Sequence, residues 1–93
     1  MPRKYKHGPK MLSKKAAKVF EDRGVHLGHY RPMFIEIAQR WSLVIGVKVT
    51  PSQAARCMAE LKMARWKAVY HEDHAIDAAN YSFIAAALEG ESE

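Results

Sequence analysis

Two carboxylates and a phenol recur at four-residue steps near the end of the sequence, at Asp73, Asp77 and Tyr81. A helix places residues at this spacing on one face. Lys62 and Arg65 share a face of the preceding helical segment in the same way. An antiparallel hairpin around residues 69–72 would bring these two cations level with the acids. We therefore expect the opposite charges to meet.

This polar group has two interpretations. In the first, the acids only neutralise the bases of a salt-bridged hairpin, since such pairs are common and weak. In the second, the acids orient Lys62 and Arg65 toward a phosphate, while Tyr81 or Tyr70 contacts a base or a ribose. Arg65 suits the second interpretation because a planar guanidinium can bind phosphate oxygens bidentately.

A second candidate for anion binding surrounds a turn that contains Gly24 and Gly28. Backbone N–H groups and cations in such a turn could together bind an anion. No Lys-Ser or Lys-Thr pair follows the glycines, so the turn is neither a Walker loop nor a dinucleotide fingerprint. The alternative is a plain loop between helices, in which histidines cap the helix ends. The predicted ligand-binding residues of this turn are Arg23, His26, His29, Tyr30 and Arg31.

The histidine spacing does not predict a metal site. His71, His74 and Asp77 recur every three residues, but they lack the His-Glu-x-x-His pattern of helical zinc enzymes. Histidines beside acids are more often hydrogen-bond partners. We predict no metal ligand, no cofactor and no catalytic residue. Cys57, the only cysteine, lies on a predicted apolar stripe and is expected to be buried.

Four helical segments must position these residues, and no strand pair is predicted. The first segment, over residues 13–23, is short and basic, with Ser13 as N-cap and Gly24 as C-terminal stop. The second has Pro32 at its first turn and ends at Gly46. Its predicted core residues recur at helical spacing and are Phe34, Ile37, Ala38, Trp41, Val44 and Ile45.

The third segment opens with a capping box, in which Thr50 is the N-cap and Gln53 reaches back to it. It should end near residues 66–68, and the fourth segment should run from an N-cap at Asp73 to Gly90. The apolar stripe predicted for the third helix consists of Ala54, Cys57, Met58, Leu61 and Ala64. The predicted fold class is all-α, a small bundle of three main helices plus a short basic N-terminal helix.

The charge of the chain is unevenly distributed. The net charge is +5, but no Lys or Arg follows Lys67, and seven cations precede the first acid, Glu21. These cations could bind nucleic acid by releasing its counterions, whereas the alternatives are a solvated tail or a contact with the acidic end of a neighbouring subunit. They are Arg3, Lys4, Lys6, Lys10, Lys14, Lys15 and Lys18. We predict a basic flexible arm over residues 1–12, one helical domain over 13–90 and an acidic tail over 91–93.

Composition restricts the class of protein further. Hydrophobic residues make up 48% of the 93 residues and charged residues 27%, which is typical of a globular chain. The apolar runs fall far short of the ~20 residues that cross a bilayer, and we do not expect the basic first ten residues to act as a secretory signal. We expect a cytoplasmic protein that is not a membrane protein. A small core, together with Trp41 and Trp66, predicts a homo-oligomer.

Five blocks in order resemble a phage family that is known only as a domain of unknown function. The resemblance covers about residues 23–88. The blocks are Arg23-Gly24 with Gly28-His29, Phe34-x-x-Ile37-Ala38-x-x-Trp41-Ser42, Gly46-Val47-x-Val49-Thr50-Pro51, Cys57-Met58-x-x-Leu61-Lys62-x-Ala64-Arg65 and Asp73-x-x-x-Asp77-x-Ala79-x-Tyr81. The resemblance implies a protein of an infected host cell and no established activity.

The short helical bundle also resembles, more distantly, the MazG-like all-α nucleotide pyrophosphohydrolases. That resemblance implies a magnesium site held by acidic pairs on two helices. The matching spacing here is Glu36-x-x-Gln39, and Glu60 is the only acid on the third helix, so the carboxylate set is incomplete. A magnesium-dependent hydrolase would have to use Glu36, Glu60, Asp73 and Asp77 as metal ligands.

Together these features predict a non-enzymatic phage protein that binds a nucleotide or a nucleotide-derived signal and sequesters it from a host defence system. Magnesium enters only under the hydrolase alternative. A nucleic-acid-binding accessory protein, acting through the basic arm, is the third hypothesis.

Overall fold

The computed structural model describes residues 8–91, and the side chains of His26, Leu27 and Glu91 lie outside that description. Four α-helices follow one another in this part of the chain, which contains no strand. They are α1 (Pro9–Leu27), α2 (Tyr30–Ile45), α3 (Pro51–Ala68) and α4 (Glu72–Glu91). The protein is therefore all-helical, as predicted. Its helices are not long and apolar enough anywhere in residues 8–91 to cross a membrane.

Helix α1 is longer than predicted, with 19 residues. Its N-cap is Gly8, and Pro9 occupies the first turn, where a residue without an N–H group is tolerated. The prediction of Ser13 as N-cap was wrong, because Ser13 Oγ donates to the carbonyl oxygen of Pro9 at 2.9 Å from inside the helix. The helix also passes through Gly24 and ends at Gly28, whose φ of +84° suits glycine. The last four residues of the predicted arm thus belong to α1, while residues 1–7 lie outside the described chain.

Helix α2 begins two residues earlier than Pro32, at Tyr30. His29 caps it, since His29 Nδ1 accepts a hydrogen bond from the backbone N–H of Arg31 at 3.0 Å. The predicted end of the helix is confirmed, because Gly46 adopts the left-handed conformation with φ +89°. After this stop, Ser42 Oγ accepts from the Val49 backbone N–H at 2.8 Å and holds the loop against α2.

The capping box of α3 is confirmed in both directions. Thr50 Oγ1 accepts from the Gln53 N–H at 3.1 Å, and Gln53 Oε1 accepts from the Thr50 N–H at 2.9 Å. The predicted cap of α4 was wrong, because Asp73 is the second residue of that helix. His71 takes the capping position instead, with its Nδ1 accepting from the Asp73 N–H at 3.3 Å.

The helices pack around a core of small side chains. Helices α3 and α4 form an antiparallel hairpin, α2 packs on α3, and α1 lies along α4. Ser52 Oγ adds a hydrogen bond across the hairpin to the Ala85 carbonyl oxygen, at 2.8 Å. Among the described residues, no large side chain is fully buried. The core cluster consists of Phe34, Ala38, Ala54, Ala55, Ile84, Ala85 and Leu88.

The buried face of α3 is rotated about the helix axis relative to the predicted apolar stripe. Ala55 and Ala59 are buried against α4, whereas Cys57 and Leu61 are exposed, so the prediction of a buried Cys57 was wrong. The reason is that α4 approaches the alanine side of α3, where small side chains allow two helices to lie close together. Of the predicted stripe, Ala54 is buried and Met58 packs against the core, whereas Cys57, Leu61 and Ala64 are exposed.

The last turn of α2 was also assigned wrongly to the core. Its first turns do pack, because Phe34 and Ala38 are buried. Val44 and Ile45, however, are 85% and 60% exposed. The helical period continues into that turn, but the core cluster of the described residues reaches only as far as Trp41 along α2.

Candidate functional site

Asp77 on α4 is the centre of the candidate site, because it is the most deeply buried charged side chain described, at 7% side-chain exposure. Lys62 Nζ on α3 lies 3.0 Å from Asp77 Oδ2. Arg23 Nη2 on α1 lies 3.4 Å from Asp77 Oδ1. One carboxylate therefore holds two cations from two different helices, and the group carries one net positive charge.

The side chains of the two cations differ in solvent exposure. The Lys62 side chain is 16% exposed, since it lies between α3 and α4. The Arg23 side chain is 53% exposed at the surface of α1. A guanidinium has five N–H donors, so the ion pair with Asp77 leaves donors of Arg23 directed elsewhere. Arg23 is the cation of this group that can meet a ligand.

A cleft of about 340 Å³ opens beside this ion-pair group, between α1, α2 and α4. Its polar lining comes from Arg23, His29, Asp77 and Asn80, and its aromatic lining from Phe20, Tyr30, Phe34 and Tyr81. Gly24, Gly28, Met33 and Ile84 complete the wall. The volume lies at the lower end of the ~300–1,000 Å³ range of small-molecule pockets, and a mainly apolar lining with few polar groups is typical of them.

The aromatic rings of the cleft hold one another in place. The His29 and Tyr30 rings are stacked with their centroids 4.4 Å apart, and Phe20 lies 6.1 Å from Tyr30. Phe34 meets Tyr81 edge-on at 6.1 Å. These arrangements are the favourable ones for aromatic pairs. The rings thus form a largely aromatic part of the cleft lining.

The glycine-bearing turn positions one side of this cleft. Gly28 ends α1 and His29 caps α2, so only two residues connect these helices. His29 does cap a helix end, as the plain-loop interpretation of the turn expects. It also lines the cleft through its ring, as the ligand-binding interpretation requires. Asn80 fixes α1 above α4, because its Nδ2 donates to the Ala16 carbonyl oxygen at 3.0 Å.

The structure brings five of the ten predicted ligand-binding residues to the cleft wall: Arg23, His29, Tyr30, Asp77 and Tyr81. Lys62 reaches the site through Asp77. The side chain of His26 lies outside the described part of the chain, and Arg31 is exposed and does not line the cleft.

The remaining two predicted residues lie apart from the cleft. Arg65 is exposed, and within residues 8–91 it has no ion pair. Asp73 is exposed and lies 3.7 Å from His71 Nδ1. The expected meeting of charges across the hairpin therefore involves Lys62 and Asp77 only. The sequence predicted Phe34 as a core residue alone, although both Phe34 and Phe20 line the cleft.

The four carboxylates of the hydrolase alternative do not converge. Glu36 pairs with Arg40 at 2.9 Å and Glu60 with Arg56 at 3.8 Å, each along its own helix. Among the residues described here, no three His, Cys, Asp or Glu side chains are placed to share a metal ion. The donor set thus does not fit a magnesium site.

The exposed cations of α1 form a separate feature. Lys10, Lys14 and Lys18 are exposed on that helix, and Lys15 contacts Glu72 of α4. The hydrogen bond to Glu72 raises the pKa of Lys15 above its ordinary 10.5. The rest of the predicted nucleic-acid arm lies in residues 1–7, outside the described chain, so that hypothesis stays a prediction.

These features define an all-helical protein with one polar and aromatic cleft beside a buried ion-pair group. The chain belongs to the family described as a domain of unknown function, DUF6378, which it matches over residues 10–89. The predicted membership of an uncharacterised family is thereby confirmed. Comparison with curated proteins and with solved structures found no match.

Proposed function

We propose that this protein binds a nucleotide or a nucleotide-derived molecule in the cleft beside Asp77 and releases it unchanged. The observation that carries the proposal is the position of Arg23, which is paired with a buried carboxylate at the edge of an aromatic cleft. Such a ligand joins an anionic phosphate to a flat base, and the cleft offers a partner for each part.

Arg23 is suited to the phosphate. Its contact with Asp77 Oδ1 at 3.4 Å directs the guanidinium, so less side-chain entropy is lost when a ligand binds. The same guanidinium can donate through its remaining N–H groups to phosphate oxygens, and charge-assisted hydrogen bonds of this kind are the strong class. Lys62 supports the arrangement by holding the other oxygen of Asp77 at 3.0 Å.

The aromatic lining is suited to the base. Tyr30, Phe34 and Tyr81 line the cleft and are fixed by ring contacts. Stacking of a base on an aromatic side chain contributes about 1–3 kcal/mol and tolerates any base, because every base has a π-face. The lining thus supports binding of nucleotides as a class.

Binding without hydrolysis follows from the chemistry of the acids. Magnesium-assisted attack on a polyphosphate needs several carboxylates around the metal. Here Asp77 is engaged by two cations, and Glu36 and Glu60 pair along their own helices. Sequestration of a signal from a host defence system, as a phage protein would perform it, is the biological role we propose on the sequence resemblance.

The experiment that tests this function incubates the protein with nucleoside mono- and triphosphates and with cyclic and linear oligonucleotide signals, with and without magnesium. The bound fraction is separated by gel filtration, released by heat denaturation and identified by chromatography. We expect intact ligand in both conditions. Magnesium-dependent product in excess of the protein would instead support the pyrophosphohydrolase. Absence of any retained nucleotide would overturn the proposal.

A further inference from the structure

Among the described residues, the cleft beside Asp77 is lined by one Lys or Arg side chain, that of Arg23. Lys62 contacts the other oxygen of Asp77 but does not line the cleft. Arg31 is exposed and also lies outside the lining. A phosphate that binds Arg23 therefore leaves no second cation of the described lining for another phosphate.

The charge of the ion-pair group is correspondingly small. Arg23 and Lys62 contribute two positive charges and Asp77 one negative charge, so the group has a net charge of +1. Asp77 itself lines the cleft, and its carboxylate repels any anionic group that is not held by Arg23. The group can thus compensate one phosphate but not a chain of two or three.

Asn80 contributes a hydrogen-bond acceptor to the lining. Its Nδ2 donates to the Ala16 carbonyl oxygen at 3.0 Å, and because a carbonyl oxygen can only accept, this bond fixes the orientation of the amide. Asn80 Oδ1 has no hydrogen-bond partner within residues 8–91, and it is open to solvent, since no described polar side-chain atom is both buried and unpaired. Phosphate oxygens are acceptors too, so this atom suits an N–H or O–H group of a base or ribose instead.

His29 contributes a neutral donor. Its Nδ1 accepts from the Arg31 backbone N–H at 3.0 Å, so in the neutral ring the proton is on Nε2. The hydroxyl groups of Tyr30 and Tyr81 in the lining are neutral as well. Hydrogen bonds from neutral donors are roughly half as strong as charge-assisted ones. Arg23 is therefore the strongest phosphate partner in the described lining.

The size of the cleft suits one base. Its volume of about 340 Å³ is near the lower limit for pockets that hold one drug-sized molecule. A mononucleotide is a molecule of that class, whereas a dinucleotide has twice its bulk. The aromatic lining then serves a single base, and Arg23 a single phosphate.

We propose that the ligand of this cleft is a nucleoside monophosphate, with its base on the aromatic lining, its phosphate on Arg23 and no site for further phosphates. The assignment rests on the proposed function and narrows it from nucleotides in general to those with one base and one phosphate. It makes a prediction that nucleotide binding by itself does not make, because affinity should not increase with the number of phosphates.

Isothermal titration calorimetry without magnesium, at about 0.15 M ionic strength to screen exposed charges, tests the assignment on wild type. The ligands are adenosine, AMP, ADP, ATP and cyclic di-adenylate. We expect AMP to bind at least about 10-fold more tightly than adenosine, because its phosphate adds a charge-assisted hydrogen bond. ADP and ATP should bind no more than about 5-fold more tightly than AMP, because charge pairs exposed to water contribute little. Cyclic di-adenylate should bind more weakly than AMP, because the cleft holds one base.

Two variants identify the group that distinguishes AMP from adenosine. Arg23→Ala should bind AMP and adenosine with equal affinity. Arg31→Ala is the matched control, because Arg31 is a neighbouring cation that does not line the cleft, and it should keep the preference for AMP. Far-UV circular dichroism checks that both variants retain their helices.

An increase of more than about 5-fold from AMP to ADP, or from ADP to ATP, overturns the assignment. So does cyclic di-adenylate that binds at least as tightly as AMP. In both results the protein still binds nucleotides, so the proposed function stands. If none of the nucleotides binds, the proposed function fails and the assignment fails with it. The comparison among ligands uses wild type alone and does not depend on the stability of a variant.

Discussion

Lys62 Nζ lies 3.0 Å from Asp77 Oδ2, and both side chains are largely buried between α3 and α4. Arg23 approaches the other carboxylate oxygen from α1. This arrangement joins three helices through one charged group. It therefore serves two purposes, since it fixes α1 on the hairpin and directs the exposed guanidinium toward the cleft.

Removal of the lysine should destabilise the fold. Lys62→Met keeps the aliphatic stem but leaves Asp77 buried with Arg23 alone. We expect the free energy of unfolding to fall by about 2–3 kcal/mol, below the ~3–5 kcal/mol for a buried pair that loses one partner, because Arg23 remains. Urea unfolding followed by circular dichroism measures the change. Arg56→Met, which removes an exposed pair along α3, is the control and should cost less than about 0.5 kcal/mol. Equal losses in both variants would contradict the structural role of Asp77.

The contribution of the contact between Lys15 of α1 and Glu72 of α4 to the free energy of unfolding should decrease at alkaline pH. Its pKa is raised by the hydrogen bond to Glu72, and a group with a raised folded-state pKa stabilises the fold fully below the unfolded value of 10.5. That contribution disappears as the pH rises through the folded-state pKa. The difference in unfolding free energy between wild type and Lys15→Gln should therefore be present near pH 9 and shrink as the pH rises above 10.5. A difference that stays constant or grows over this window would contradict the contact. Lys18→Gln, whose partner Asp22 lies on α1 itself, is the matched control.

The sequence predicted correctly those helix boundaries that depend only on residues close together in the chain. The capping box of Thr50 and Gln53 needs only residues three apart, and Gly46 ends α2 through its own backbone conformation. Ser13 failed as a cap because Gly8 and Pro9 already provide a start to α1, five residues earlier. The Ser13 hydroxyl instead donates to the Pro9 carbonyl oxygen inside the helix, so its hydrogen bond does not mark a helix end.

Only the part of the candidate site that lies in the α3–α4 hairpin could be predicted from the sequence. The register of an antiparallel α3 and α4 pair is fixed by a short connection, so Lys62 and Asp77 could be paired from the sequence. The position of Arg23 depends on how α1 crosses α4, which is set by tertiary packing around Ala16 and Asn80. For the same reason, no periodicity indicates that the core residue Phe34 and the exposed Phe20 would both line a cleft.

The central claim is that Arg23 binds the phosphate of a nucleotide in the cleft beside Asp77. Isothermal titration calorimetry with nucleoside monophosphates, without magnesium, tests it most directly on wild type, Arg23→Ala and Arg40→Ala. Arg40 is the matched control, since it pairs with Glu36 on α2 and does not line the cleft. We predict binding by wild type and Arg40→Ala with equal affinity, and affinity about 10- to 100-fold weaker for Arg23→Ala, because a charged hydrogen bond is worth about 1.5–3 kcal/mol. Unchanged affinity in Arg23→Ala, or loss of affinity in Arg40→Ala to the same extent, would contradict the account.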